Sequence, residues 1–364
     1  MGAATAAALD PVIIASGAAG DATASNNQVK MVRSPAGLIV AYTGMAGGND
    51  QVFLAISPDN GARWSRLTQV SGGPAPSRLP AVAVDGAGRV QVIWTRYDGG
   101  VGAIYHRVWA RTWMAPQQKI SPGNRYAGYP ALALDTAGDP QVVWYGIREG
   151  SLPTSTRHGS IYEIFYTGFD GRAWSRPFLI SPGLPDSVNP ALVADQRGRV
   201  HAVWYQYNGR AYQVKYAERD RVWTAPESVA RTPSDEFNPD LDVDARGQVS
   251  VVWEHHDGDR SFIYYARRAG GRWDAPIALS GGTPPARHPA IASTSSGLIY
   301  VVWDQDDGQV YQRRYAGRWD PVVRLSTDGG NTFPSVAAMG AGAGAVWTHA
   351  AGAGAAVEFV HFAP

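Results

Sequence analysis

Pro80-Ala-Val-Ala-Val-Asp85-Gly-Ala-Gly88-Arg-Val-Gln-Val-Ile-Trp94 decides the fold, because the chain repeats this segment at regular intervals. Pro130-Ala-Leu-Ala-Leu-Asp135-Thr-Ala-Gly138 runs on to Trp144, and Pro190-Ala-Leu-Val-Ala-Asp195-Gln-Arg-Gly198 runs on to Trp204. Pro239 to Asp244, Gly247 and Trp253 hold the same register; Pro289 to Gly297 and Trp303 hold it without the Asp; Pro334 to Gly342 and Trp347 hold it in small residues. A degenerate first copy ends at Tyr42. Successive aromatic landmarks lie 52, 50, 60, 49, 50 and 44 residues apart, so 364 residues hold about seven units of about 51.

Each unit carries four short strand signals. An apolar run follows the proline, turns at Asp-x-x-Gly, and continues as an alternating segment such as Val90, Val92 and Trp94. An Ile/Tyr strand comes third, as in Ile104-Tyr105, Ile263-Tyr264-Tyr265 and Val310-Tyr311. The fourth follows the pattern Trp-x-x-Pro-x-x-x-Ile/Leu-Ser, seen at Trp174 to Ser181 and Trp273 to Ser280 and more loosely at Trp113 to Ser121 and Trp223 to Ala230. Four antiparallel strands in about 50 residues make a propeller blade, in which radial repetition leaves only short, protected edges. The expected fold is therefore all-β, a seven-bladed β-propeller of four-stranded antiparallel blades. The seventh unit ends at Val357 to Pro364 before its outer strand. Asp10-Pro11-Val-Ile-Ile-Ala-Ser16 matches the outer strand Asp320-Pro321-Val-Val-Arg-Leu-Ser326. The N-terminal strand is thus expected to complete the last blade, with residues 1–9 a flexible segment and 10–364 a single domain.

Composition narrows the function. With 32 basic and 31 acidic side chains, a net charge of +1 and no block of like charge, the chain has no field to gather a polyanion. Neither nucleic acid nor an inserted membrane segment is expected as a partner. The longest apolar runs are five to eight residues and interrupted by glycine, against about 18 for a membrane span. There is no cysteine, hence no disulfide framework and no thiolate metal site or nucleophile. The Ala-rich start lacks the basic and apolar regions of a secretory leader, and a trimmed mature chain is expected.

One turn resembles a known family. Ser57-Pro-Asp59-Asn-Gly61-Ala-Arg-Trp64 fits Ser-x-Asp-x-Gly-x-x-Trp, the Asp box of sialidase-like (BNR repeat) propellers. The carboxylate accepts backbone N–H groups, the glycine takes a positive φ and the Trp packs between blades. Thr167-Gly-Phe-Asp170-Gly171-Arg-Ala-Trp174 is a shifted copy. Ser326-Thr-Asp328-Gly-Gly330-Asn-Thr-Phe333 also fits the letters, but it lies between blades and is read as coincidence. The resemblance implies the fold and, weakly, a secreted, cell-surface or periplasmic setting, since the Asp box occurs in hydrolases, lyases, lectins and adhesins alike.

Function is expected where loops converge on the axis. One set precedes each proline: Arg78, Tyr129, Asn189, Asn238, His288 and Phe333. The other follows each aromatic: Arg96, Tyr145, Tyr205, Glu254 with His255, Asp304 and His349. Rings for the apolar faces of sugars, and carboxylate, amide and guanidinium groups for hydroxyls, make a rim suited to a carbohydrate or other polar small molecule. Glu254, His255, His288, Asp304 and His349 are the candidate catalytic residues, fit for acid–base work or for a divalent cation such as calcium, the only cofactor indicated. Arg78, Arg96, Tyr129, Tyr145, Asn189, Tyr205 and Asn238 are the candidate substrate-binding residues. The sialidase resemblance makes Arg78-Leu79-Pro80 similar to the first carboxylate-binding arginine of those enzymes, although seven units replace six and further arginines do not match. A glycoside hydrolase or polysaccharide lyase leads; a lectin or adhesin, a specialised biosynthetic enzyme and a protein-binding scaffold stay open. A monomer is expected. Gly146 to Gly159, an excess in unit three, is a candidate lid.

Overall fold

The structure is a computed structural model that describes residues 10–25, 27–65, 68–149, 162–181, 186–352 and 354–362. Residues 1–9 and most of the candidate lid of unit three lie outside the described residues. Among the described residues there is no helix, and the strands form antiparallel sheets of four principal strands, run in chain order from innermost to outermost.

Unit one is Met31–Ser34, Gly37–Ala46, Asn49–Ser57 and Thr68–Gln69; unit two is Ser77–Val84, Val90–Asp98, Val101–Ala110 and Gln118–Lys119. Unit three is Asn124–Leu134, Pro140–Arg148, Glu163–Gly168 and Phe178–Leu179; unit four is Ser187–Ala194, Val200–Tyr207, Tyr212–Arg219 and Glu227–Ser228. Unit five is Asp235–Val243, Val249–Asp257, Arg260–Ala269 and Ile277–Ala278; unit six is Ala286–Ser293, Ile299–Gln305, Val310–Tyr315 and Val323–Arg324. Unit seven is Asn331–Met339, Gly342–Ala351 and Gly354–Phe362, and its fourth strand is Val12–Ala18, paired antiparallel with Val12 opposite Phe359 and Ala18 opposite Ala355. Ala18 also pairs with Gly44, which joins units seven and one into one sheet.

The turn chemistry explains the strand spacing. Asp85 Oδ1 accepts the N–H groups of Ala87 and Arg89 at 3.0 and 2.8 Å, and Gly88 takes φ +77°, closing the turn between first and second strands. Asp135, Asp195 and Asp244 do the same. In unit six, where the Asp is missing, Thr294 Oγ1 accepts the Leu298 N–H at 3.1 Å. The Asp box of unit one is formed as its letters imply. Gly61 N–H donates to Ser57 Oγ at 2.7 Å, Arg63 N–H to Asp59 Oδ1 at 2.7 Å, and the Trp64 indole to Gly61 O at 3.1 Å. At the second literal match, Ser326 instead accepts from Val310 N–H and donates to Gln309.

The repeated aromatics are the mortar between sheets. Trp94, Trp144, Trp204, Trp253, Trp303 and Trp347 have no exposed surface. Each lies in an apolar cluster drawn from two neighbouring units, and one such cluster combines Val346, Val357 and Phe359 of unit seven with Val40 and Tyr42 of unit one. Burying rings of this size contributes on the order of 2–3 kcal/mol each.

Candidate functional site

One residue in each of units two to seven has an unusual backbone. Leu79, Tyr129, Asn189, Asn238, His288 and Phe333 all have φ between +46° and +57°, and each precedes the repeat proline. At each, the pairing of first and second strands slips by a residue, as between Val188 and Ala191 or between Arg287 and Ala290. A bulge in the left-handed region turns a side chain that would otherwise join the ladder. By this register the unit-two member is Leu79, not Arg78: the sequence alignment was one residue out there, because Arg78 has the polarity expected of the rim and Leu79 does not. Arg78 instead pairs with Thr95 and forms ion pairs with Asp21, at 3.2 Å, and Asp50.

The second set divides by strand alternation. Residues one place after the aromatic face the bulged residues; those two places after it face the other way. Tyr145, Tyr205, Glu254 and Asp304 are of the first kind. Arg96, His255 and His349 are of the second, and the expected single cluster of Glu254, His255, His288, Asp304 and His349 separates accordingly. His255 stacks on Tyr264 with centroids 4.2 Å apart and pairs with Glu236 at 3.0 Å. Arg96 lies over Tyr105 and pairs with Asp98 at 3.2 Å. His349 sits by Asn331 at 3.0 Å, with Asp328 at 3.7 Å.

Glu254, His288 and Asp304 do meet. Glu254 Oε1 accepts from Asn238 Nδ2 and from the His288 backbone N–H, both at 2.8 Å, and Oε2 lies 3.2 Å from His256 Nε2. His288 Nδ1 is 2.9 Å from Asp304 Oδ1, and Thr332 Oγ1 donates to Asp304 Oδ2 at 3.3 Å. Asn189 Nδ2 donates to Asn238 Oδ1 at 2.7 Å, so the amides extend the chain of contacts across to unit four. Both carboxylates are buried, Glu254 at 2% and Asp304 at 5% exposure, whereas the His256 and His288 side chains keep 26% and 22%. Burial pushes the Glu254 carboxyl up, but the His256 and Asn238 hydrogen bonds and the His288 charge outweigh it and leave it below the usual range. For His288, burial opposes the charge, but Asp304 and Glu254 prevail and raise it above its ordinary value. Burial holds the Asp304 carboxyl high, against the pull of His288.

Aromatics form the opposite wall. Tyr129 stacks on Tyr145 at 5.0 Å, and Tyr126 and Tyr162 pack on Tyr145 at 6.1 and 5.0 Å. Tyr205 contacts Phe237 at 5.2 Å, and Phe237 contacts His256 at 4.9 Å, which carries a second group of rings to the imidazole side. Burial, first of all, raises the hydroxyls of Tyr145, Tyr205 and Tyr129 above their ordinary value, and they are protonated at neutral pH.

Sequence reading missed the floor of this cup. Unit one has no repeat proline, and its incoming chain crosses the axis. Asn27 Nδ2 donates to Pro190 O at 2.6 Å, Gln28 Nε2 to Pro130 O at 2.8 Å, and Lys30 Nζ to Pro80 O at 2.6 Å and to Gln28 Oε1 at 2.7 Å. The carbonyls that the bulges leave without a ladder partner are thus met by three side chains of one segment. Beyond the floor an axial cavity of ≈ 450 Å³ is lined by the innermost strands. It is walled mainly by Ala, Val, Leu and Ile but includes Asp240 and Asp242, which accept the Ile291 and Ser293 N–H groups of the next strand. The signal for both was their place in the repeat, where other units carry small or apolar residues.

The chain matches no protein-family profile and no curated protein. Solved structures do resemble it. A polysaccharide lyase described as an ulvan lyase of a new family, bound to a saccharide of glucuronic acid and sulfated rhamnose, aligns over 97% of this chain and 96% of that chain, with 13% identity and a TM-score of 0.68. The NanB sialidase of Streptococcus pneumoniae aligns over 98% and 70%, at 12% identity and a TM-score of 0.52. An α-L-arabinanase of Penicillium chrysogenum aligns over 79% and 93%, at 15% identity and a TM-score of 0.54. The fold is that of the sialidase-like β-propellers, a class that includes glycoside hydrolases and polysaccharide lyases.

Proposed function

We propose that the chain is a closed, seven-bladed, secreted and monomeric propeller whose axial cup cleaves an acidic glycan by β-elimination. The closure is supported by Val12–Ala18 pairing with Gly354–Phe362 and by the apolar cluster shared by units seven and one.

One observation carries the choice of elimination. The two carboxylates of the cup are buried and turned onto imidazoles, while the groups that open into it are imidazoles, amides and tyrosyl hydroxyls. Hydrolysis by the common route needs two carboxyls facing the glycosidic bond, and by the sialidase route a tyrosine nucleophile with a carboxyl acid. Elimination needs a neutraliser for the uronate carboxylate, a base and an acid, and no carboxyl open to the bond. His288, in its protonated form, and the Asn189 amide meet the carboxylate and acidify the adjacent C5–H. His256, with Nε2 donating to Glu254, presents Nδ1 as the base that takes the C5 proton. The released electron pair forms the C4–C5 double bond as the C4–O bond breaks, and Tyr205 gives its proton to the departing oxygen. Glu254 and Asp304 are positioning residues that fix the tautomer and orientation of the imidazoles, as the carboxylate does in a Ser–His–Asp triad.

Hydrolysis is the second reading, favoured by the opposite shifts of Glu254 and Asp304, the signature of a base and acid pair. Mass spectrometry of uronate polysaccharides, sialosides and neutral oligosaccharides after incubation separates the two: unsaturated termini without added water support elimination, and products that gain water support hydrolysis. His288→Ala is expected to abolish turnover, and Glu254→Gln to lower kcat by about 10²-fold or more. Intact substrates retained on a glycan array would replace both readings with a lectin.

A further inference from the structure

His349, expected from its place in the repeat beside Glu254 and Asp304, is turned by strand alternation into a cluster of its own. His349 and Glu358 are diagonal neighbours on adjacent strands of unit seven, where His349 pairs with Ala356, so both side chains leave the same face. Asp328 reaches the same point from the segment that leads out of unit six. Single ligand atoms of the three residues lie within 4.8 Å of one another, and His349 Nδ1 is 3.7 Å from Asp328 Oδ1. An ion bound at about 2.0–2.1 Å with tetrahedral angles places its ligand atoms about 3.4 Å apart, so the three groups must close in by up to about 1.4 Å, and His349 Nδ1 must give up its contact with Asn331 Oδ1, 3.0 Å away, to take the ion.

We propose that Asp328, His349 and Glu358 form a binding site for a first-row divalent ion, with zinc the best match. The donor set selects the ion: an imidazole with two carboxylates suits zinc or manganese, whereas calcium takes oxygen ligands in larger number. The second shell is in place. Trp347 Nε1 donates to Glu358 Oε2 at 2.9 Å and to Asn331 Oδ1 at 2.8 Å, and the Asn331 amide donates to Gly308 O at 3.0 Å. Glu358 is buried, while the Asp328 side chain keeps 63% exposure, which gives the ion a path from solvent and room for water. Asp328 is free for this role because, despite its Asp-box letters, its carboxylate faces His349 and not a turn.

The site lies outside the cup but is connected to it. Asp328 is four residues before Thr332, which donates to Asp304, and five before Phe333, whose ring is 4.4 Å from that of His288. A bound ion would pin this segment to unit seven and hold Thr332 and Phe333 against the Asp304–His288 pair. Its role is structural, and it stands whether or not the cup eliminates.

Zinc titration of chelator-treated protein by calorimetry tests the site, read together with the melting temperature. The expected result is one zinc per chain, a raised melting temperature, and affinity lowered at least about tenfold in Asp328→Asn and His349→Ala. Asp328 is exposed, so its substitution spares the fold, and His288→Ala, in the separate cup cluster, should bind zinc as the wild type does. Absence of zinc binding, wild-type affinity in Asp328→Asn, or a preference for calcium over zinc would overturn the assignment and leave an imidazole–carboxylate ion network.

Discussion

At the scale of single residues, buried charge is concentrated around the axis and sets how the protein responds to pH. Asp240 is held up to about 8 and Asp242 to about 6, chiefly because burial disfavours their charged forms. Unfolded, both release their protons near 4, so between about 4 and 8 the folded chain binds more protons than the unfolded one. Stability therefore falls as pH rises through that window. Asp240→Asn, which keeps an acceptor for the Ile291 N–H, is expected to be more stable than wild type at pH 8 and to flatten the decline; urea unfolding at pH 5 and pH 8 measures both. His288 adds to the same trend: its raised value gives stabilisation that is complete below about 6.5 and lost as pH rises through the folded value. Lys30 opposes it, since burial lowers its amine and the folded chain gives up a proton the unfolded chain keeps.

At the scale of elements, the repeat consists of two devices, a turn and a bulge, and only the turn was readable. Asp-x-x-Gly specifies its turn by local hydrogen bonds, and the structure contains it wherever the letters occur and even where Thr294 replaces the Asp. The bulge before the proline has no such letters: Asn189, Asn238 and His288 belong to types that visit the left-handed backbone, but Leu79, Tyr129 and Phe333 do not, and there the fold imposes it. This is why the bulge of unit two was read at Arg78 instead of Leu79, and why a list built on polarity mixed the two faces of the second strand. The Asp box shows the opposite case, in which letters and geometry agree. Gly61 combines φ +97° with a position where an added Cβ would stand 2.0 Å from the Phe359 ring of unit seven. Gly61→Ala is expected to cost about 2–4 kcal/mol, read from denaturant midpoints, with strain and overpacking both contributing.

At the scale of the whole molecule, the pairing of Val12–Ala18 with Gly354–Phe362 is the weak point. Gly354–Phe362 would be an open strand edge without Val12–Ala18, and open edges invite pairing with other chains. Removal of residues 10–18 is expected to lower the melting temperature and to move the protein to larger species in size-exclusion chromatography, whereas a ring closed by other means would remain monomeric. The segment that follows this strand, through Thr23 to Lys30, also forms the floor of the cup, with Thr23 Oγ1 2.7 Å from Thr348 Oγ1. One stretch of chain thus serves both closure and site.

The sequence by itself determined the period, the four strands per unit, the aromatic between sheets and the pairing of first and last strands. These are properties of local hydrophobic alternation and turn chemistry, which neighbouring residues carry in full. It also singled out Asn189, Asn238, Glu254, His288 and Asp304, which hydrogen bonds link in the structure, and Tyr129 and Tyr145, whose rings stack. Only the tertiary structure decided which charges meet. A one-residue step along a strand sends His255, Arg96 and His349 to the opposite face, and the contacts among Glu254, His288 and Asp304 join residues 34 and 16 positions apart across two sheets. The floor was illegible for the same reason: Asn27, Gln28 and Lys30 acquire their partners only when units two to four bring Pro80, Pro130 and Pro190 around the axis.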